Sequence, residues 1–209
     1  MELVSQHGIE KTLVALFGTS GYFVEIGCWD GELISQTAVI ERMGWKGICI
    51  DPFPRNFDNR NCILVEKAIS ADGQSRQFML VSIDRRYGGD VSYFSGFVDA
   101  IGKDANIMKL IQRHCDYTTI TVETTTLSAV LEENNAPKFI EFLSIDTEGS
   151  EMEILKSIDF VAYKFGVIDV EHNRNLEVKN TIIFFLISNG YELLIEGEIS
   201  DVFINESLL

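Results

Sequence analysis

YFVEIGCWDGELISQT, residues 22–37, decides how this chain is read. Tyr22 to Ile26 is a short apolar run of the kind a fully buried strand needs. Gly27 and Gly31 follow, and residues 31–43 then carry Leu33, Ile34, Thr37, Ala38 and Ile40 at helical spacing. A strand, a glycine turn and a helix form the opening unit of a nucleotide-binding α/β sheet. The dinucleotide fingerprint G-x-G-x-x-G is nevertheless absent. Trp29 stands where a further glycine would let the backbone approach a pyrophosphate.

The same alternation continues on both sides of this stretch. Residues 9–17 predict a helix with Ile9, Leu13, Leu16 and Phe17 on one side. Beyond it, WKGICID, CILVEKAIS, RQFMLVSI, YTTITVETTTL, FIEFLSIDTEG, FGVIDVEHN, YELLIE and DVFIN read as strands. TLSAVLEEN, SEMEILKSI and LEVKNTIIFFLISNG read as helices, the first capped by Thr126 or Ser128 and the last ended by Gly190. Alternating strands and helices imply a mostly parallel sheet covered on both faces. The last two strands are joined only by GEIS, so they predict an antiparallel hairpin at the edge. Residues 84–116 break the rhythm with DRRYGGDVSYFSGF, and such a break in an α/β chain predicts a lid or binding loop. Its Tyr87, Tyr93, Phe94 and Phe97 suit an acceptor wall. One domain over residues 1–209 is expected, with 84–116 as a substrate-side insertion.

The chain has 209 residues, 46% of them hydrophobic, and a net charge of −15. That charge repels phosphate backbones, so nucleic acid is not expected as a partner. Apolar runs stay shorter than the roughly 18 residues a membrane span requires. The start, MELVSQHGIEKTLVALF, lacks the basic region and small-residue cleavage site of a secretory leader. Cys28, Cys49, Cys62 and Cys115 form no CxxC pair and read as reduced thiols in a cytoplasmic protein.

In open α/β sheets, ligands bind beyond the carboxyl ends of the strands. Acidic residues stand at four such ends: Glu25 at the first strand, Asp51 at the second, then Asp146 and Glu171. Asp51 lies about two dozen residues beyond the glycine turn, where a carboxylate grips ribose hydroxyls. NAD remains open on that evidence, but the fingerprint and a Tyr-x-x-x-Lys pair are both missing. S-adenosylmethionine carries no pyrophosphate, and its sulfonium and ammonium suit acidic surroundings. His172 is the candidate general base because its ordinary pKa lies near neutrality, with Glu171 to orient it. Asp146, Glu148, Glu171 and His172 could instead hold a divalent cation.

Four segments, SQHGIEKTL, YFVEIGCWDGELISQTAVIERMGWKGICIDPFP, ITVETTTLSAVLEE and FIEFLSIDTEGSEMEILKSIDF…VIDVEHN, resemble FkbM-type methyltransferases in the right order from about Ser5 to Gly190. The resemblance implies a Rossmann-like class I fold, with seven strands and an antiparallel last strand. It also implies an S-adenosylmethionine-dependent O-methyltransferase acting on a carbohydrate or other hydroxylated small molecule. Glu25, Gly27, Cys28 and Gly31 would then belong to the methionine and ribose end of the cofactor site. Asp51 would bind the ribose, and Pro52, Phe53 and Ala68 would flank the adenine. Asp146 and Glu148 would face the sulfonium, with Glu171 and His172 beside the acceptor. A non-catalytic cofactor-binding module and an NAD-dependent oxidoreductase are the competing readings.

Overall fold

The structure, a computed structural model, describes residues 8–103 and 105–209. The expectations about a leader at residues 1–7, and the start of the resemblance at Ser5, lie outside the described residues. The chain opens with α1 (Glu10–Phe17) and β1 (Tyr22–Ile26), followed by α2 (Ala38–Arg42) and β2 (Lys46–Ile50). Short strands β3 (Ile63–Val65) and β4 (Ala68–Ile69) lead into the long β5 (Arg76–Asp84). Next come β6 (Gly89–Asp90), β7 (Gly96–Phe97), α3 (Val98–Ile101), α4 (Ala105–His114), β8 (Cys115–Val122) and β9 (Thr124–Thr125). The last part runs α5 (Leu127–Glu133), β10 (Phe139–Ile145), α6 (Glu151–Ser157), β11 (Lys164–Glu171), α7 (Leu176–Ser188), β12 (Tyr191–Glu196) and β13 (Ser200–Asn205).

Seven strands form the main sheet in the order β12-β13-β11-β10-β1-β2-β3. The pairings among β11, β10, β1, β2 and β3 are all parallel. This is the Rossmann-like class I arrangement. Its last strand is antiparallel, as expected, but it does not form the edge. β13 is inserted between β11 and β12, and β12 takes the outside place. The hairpin partner cannot reach β11 because β13 has already satisfied that edge's hydrogen bonds.

Successive strand residues point to opposite faces, so the sheet carries two cores. Val24, Ile48, Leu143 and Ile168 pack with Leu131 of α5, Leu155 of α6 and Leu186 of α7. Phe23, Cys49, Phe142 and Val167 pack with Leu13 of α1 and Ile40 of α2. Leu16, expected on the buried side of the first helix, is exposed instead.

The helix expected over residues 31–43 is reduced to Ala38–Arg42. Two acids divert the preceding residues. Asp30 Oδ1 accepts the backbone N–H groups of Glu32 and Leu33, both at 2.9 Å. Glu25 accepts Ser35 Oγ, Gln36 N–H and Thr37 Oγ1. Such side-chain bonds to the local backbone compete with a helical ladder. Leu33, placed on the buried face by its spacing, consequently lies open to solvent.

A second sheet runs in the order β6-β5-β7 with β8 paired to β5, all antiparallel. Its register sets Phe78 opposite Ile120 and Leu80 opposite Thr118. Met79 and Val81 pack with Ile101 and Ile111, which belong to α3 and α4. The segment 84–116 is therefore not irregular. It carries β6 and β7, which pair with the central strand β5, and the helices α3 and α4 that pack on the sheet. Arg76 straps this sheet to the rest through Glu153 of α6 and lies over the Phe97 ring at 4.0 Å.

Candidate active site

A cavity of about 950 Å³ opens beyond the carboxyl ends of β1, β2, β10 and β11 and runs under the second sheet. At its base the turn after β1 is tied to its neighbours. Gly27 N–H donates to Ile50 O at 2.9 Å, and Asp146 N–H donates to Ile26 O at 3.0 Å. Gly27 has a φ of +83°, and a Cβ there would sit 1.6 Å from the Asp146 carbonyl oxygen. Only glycine allows two strand ends to approach this closely.

Asp51 directs its carboxylate into this turn. Its Oδ2 accepts Trp29 N–H at 2.9 Å, and its Oδ1 accepts Phe53 N–H at 2.7 Å. Burial pushes its carboxyl up to about 6, against those two hydrogen bonds. Each oxygen keeps a lone pair for a further donor, which is what a ribose diol requires. Pro52, Phe53 and Ala68 line the cavity beside it. Phe53 and Phe78 have ring centroids 5.5 Å apart, so the second sheet closes an apolar slot at that end.

Asp146, Glu148 and Glu171 converge at the other end, with carboxylate oxygens within 4.8 Å of one another. Glu171 is pushed up to about 12 by burial first, then by the Asp146 and Glu148 charges. Burial and the Asp146 charge also hold Glu148 well above the carboxylate range. Burial and the neighbouring charges thus favour the protonated form of both glutamates. Asn173 Nδ2 donates to Glu171 Oε2 at 2.7 Å and anchors that side chain. Glu151 shapes the turn from below, because its Oε1 accepts the N–H groups of Thr147 and Gly149. Ser150, at the start of α6, makes no capping bond and donates to Thr147 Oγ1. Trp29, Glu148 and Asn173 all have positive φ and all line the cavity. Strain of this kind collects where function holds it.

Several expected site residues lie elsewhere. His172 does not line the cavity. Its side chain is buried with Nε2 3.5 Å from Asp201 Oδ1, on the far side of the strand end. The reason is strand geometry: with Glu171 turned to the cavity, the next side chain points to the opposite face. Glu25 is likewise outside, buried and committed to Ser35, Gln36 and Thr37. Cys28 belongs to the core packed under α1 and α2. Gly31 also stays off the cavity wall, and a Cβ there would meet the Phe57 ring at 2.7 Å.

Other residues went unread in the sequence. Arg60 is buried among Glu41, Thr37 and the Gly31 carbonyl, and it holds the loop after Gly27 in place. Ser92 and Asn173 line the cavity. The local hint for Asn173 is an asparagine just after a strand, a residue type that tolerates the positive φ it adopts. Ser92 had none.

The family model described as "Methyltransferase FkbM domain" matches residues 25–193. No curated protein matches the chain. Among solved structures, a precorrin-6y C5,15-methyltransferase from Geobacter metallireducens GS-15 aligns over 97% of this chain and 87% of its own. The identity is 16% and the TM-score 0.42.

Proposed function

This chain belongs to the FkbM methyltransferase family and is an S-adenosylmethionine-dependent methyltransferase, and we propose that it methylates a hydroxyl of a carbohydrate or other small-molecule acceptor. The observation that carries this reading is the division of one cavity between Asp51 and the Asp146–Glu148–Glu171 cluster. S-adenosylmethionine, when bound, supplies an electrophilic methyl on a sulfonium. The residues present fit it. Asp51 would hold the ribose hydroxyls, Pro52, Phe53 and Ala68 would flank the adenine, and the cluster of acids would face the cationic end.

Asp146 is the proton acceptor in this scheme. Burial and neighbouring charge favour the protonated forms of Glu148 and Glu171, which supports Asp146 as the member of the cluster that takes the acceptor's proton. Glu171 lies against Asp146 and is itself anchored by Asn173. Tyr93, Phe94, Ser82 and Thr118 supply aromatic faces and hydroxyls on the acceptor side, which suit a polyhydroxylated ring. The net charge of −15 supports an acceptor other than nucleic acid. Among the described residues no helix is long and apolar enough to cross a membrane. The four free cysteines support a cytoplasmic setting.

The same three carboxylates could hold a divalent cation, which would lower the pKa of an acceptor hydroxyl. One experiment separates the schemes. Calorimetry is expected to show S-adenosylhomocysteine binding and no NAD binding. Labelled methyl is then offered to a panel of neutral sugars and polyols with and without chelator. Asp146→Asn is expected to lower transfer by roughly 10²–10⁴-fold, the range of a positioned base, with chelator having no effect. Preferential NAD binding overturns the reading. Loss of activity with chelator moves the role of Asp146 to metal ligation. Methyl bound to nitrogen or carbon overturns the acceptor class.

A further inference from the structure

Trp29 is the departure from the nucleotide-binding pattern that the cofactor reading leaves unexplained. Its backbone takes a φ of +43°, a glycine-like conformation held by a bulky residue. Four contacts fix it there. Its N–H donates to Asp51 Oδ2 at 2.9 Å. Its carbonyl accepts Arg55 N–H at 2.9 Å. Its indole Nε1 donates to Ser92 Oγ at 2.8 Å. Its ring meets Tyr93 edge-on, with centroids 5.4 Å apart.

These contacts close into a circuit. The Arg55 guanidinium pairs with Asp90. Asp90 Oδ1 accepts Ser92 N–H at 2.9 Å, and Ser92 in turn accepts the indole. The circuit therefore runs from the ribose-facing acid, through Trp29, to residues 90–93 of the second sheet and back through Arg55. Asp51, Trp29, Arg55, Asp90, Ser92 and Tyr93 all line the cavity. The second sheet is otherwise joined to this side of the cavity by the Phe53–Phe78 contact.

We infer that Trp29 is a positioning residue that transmits cofactor occupancy at Asp51 to the acceptor wall at Ser92–Tyr93. This rests on the cofactor reading given above. A ligand that engages Asp51 acts on the carboxylate that orients the Trp29 backbone, and the indole carries that restraint to Ser92. The cofactor would thus bind first and complete the acceptor site. Trp29 takes no part in the chemical step.

The test needs no acceptor. Amide hydrogen exchange over residues 89–97 reports opening of this segment, and it is measured with and without saturating S-adenosylhomocysteine. Trp29→Phe keeps a ring for Tyr93 but removes the indole donor. Ser92→Ala removes the acceptor from the other side and serves if the first variant folds poorly. The chain has two tryptophans, and Trp45 is buried in the core, so a Trp45→Phe background makes Trp29 fluorescence a second readout. In the unaltered protein, S-adenosylhomocysteine is expected to slow exchange over 89–97 by about fivefold, the population worth of one net hydrogen bond. Both variants should keep its affinity within about threefold and lose that slowing. If the slowing persists in Trp29→Phe and Ser92→Ala, the coupling role is wrong and the cofactor site stands. If the ligand binds the unaltered protein without slowing exchange or shifting fluorescence, the coupling is also wrong. If it does not bind at all, the cofactor reading fails and the inference falls with it.

Discussion

The two sheets of this molecule place their residues by different means. In the seven-stranded sheet, β11 is buried along nearly its whole length, and its parallel neighbours are apolar on both faces. The four-stranded sheet packs Met79 and Val81 against α3 and α4 and turns Leu80 and Ser82 to the cavity. β8 within it is largely exposed. Parallel sheets survive only when covered on both sides, whereas antiparallel ones tolerate one wet face. The first sheet accordingly fixes Gly27, Asp51 and Asp146 with little freedom. The second, with β8 largely exposed, offers a wall that tolerates more variation. A constant cofactor and a variable acceptor would call for this division.

The sharpest way to break the comparison is to place the same methyl group in each sheet. Gly27→Ala sets a Cβ 1.6 Å from a backbone oxygen in the first. We expect a loss of at least about 4 kcal/mol, and a melting temperature lowered by roughly 8–16 °C. A variant within two or three degrees of the parent on a thermal scan would show that the turn is not rigid.

Asp51→Ala removes charge-assisted acceptors without touching the core. S-adenosylhomocysteine affinity is expected to fall by roughly 10- to 150-fold, from about 1.5–3 kcal/mol. Because burial raises Asp51 to about 6, affinity in the parent should also weaken as pH falls through that value and the carboxylate gains a proton. Stability runs the other way. The folded chain binds that proton more tightly than the unfolded one, so the Asp51 contribution is full below the usual value of 3.8 and is lost as pH rises through about 6. Titration calorimetry from pH 5 to 8 checks the first, and a flat profile would remove Asp51 from the ribose site.

Gly88→Ala is the smallest change and the counterpart of the first. Gly88 has a φ of +70° at the β5–β6 turn, but a Cβ there meets nothing within 4 Å. Only backbone strain opposes it, so about 1 kcal/mol and a shift of roughly 2–4 °C are expected. A loss equal to that of Gly27→Ala would mean that the second sheet is as tightly specified as the first.

Much of the first sheet could be read along the chain. YFVEI, WKGICID, FIEFLSI and FGVIDVE are short continuous apolar runs, and covering both faces demands that composition. Of the four strand-end acids, Asp51, Asp146 and Glu171 line the cavity, whereas Glu25 holds the loop at Ser35–Thr37 instead. The helix over 31–43 misled, since its spacing carried no sign that Glu25, ten residues upstream, would capture Ser35–Thr37.

The pattern along the chain specifies the strands of the first sheet, which of them end in acids, and that a mostly parallel sheet joins them. Those properties are local, set by the period of apolar side chains and the residues that stop them. The tertiary structure alone decided that β5 pairs with β8 across the insertion, and that β13 lies inside the edge. It also decided that His172 faces Asp201, and that Trp29 reaches Ser92. Each of these depends on which distant segment completes a hydrogen-bond ladder or fills a face. Pairing one strand with another some forty residues away is chosen by the summed burial of both, and neither segment carries that sum in its own residues.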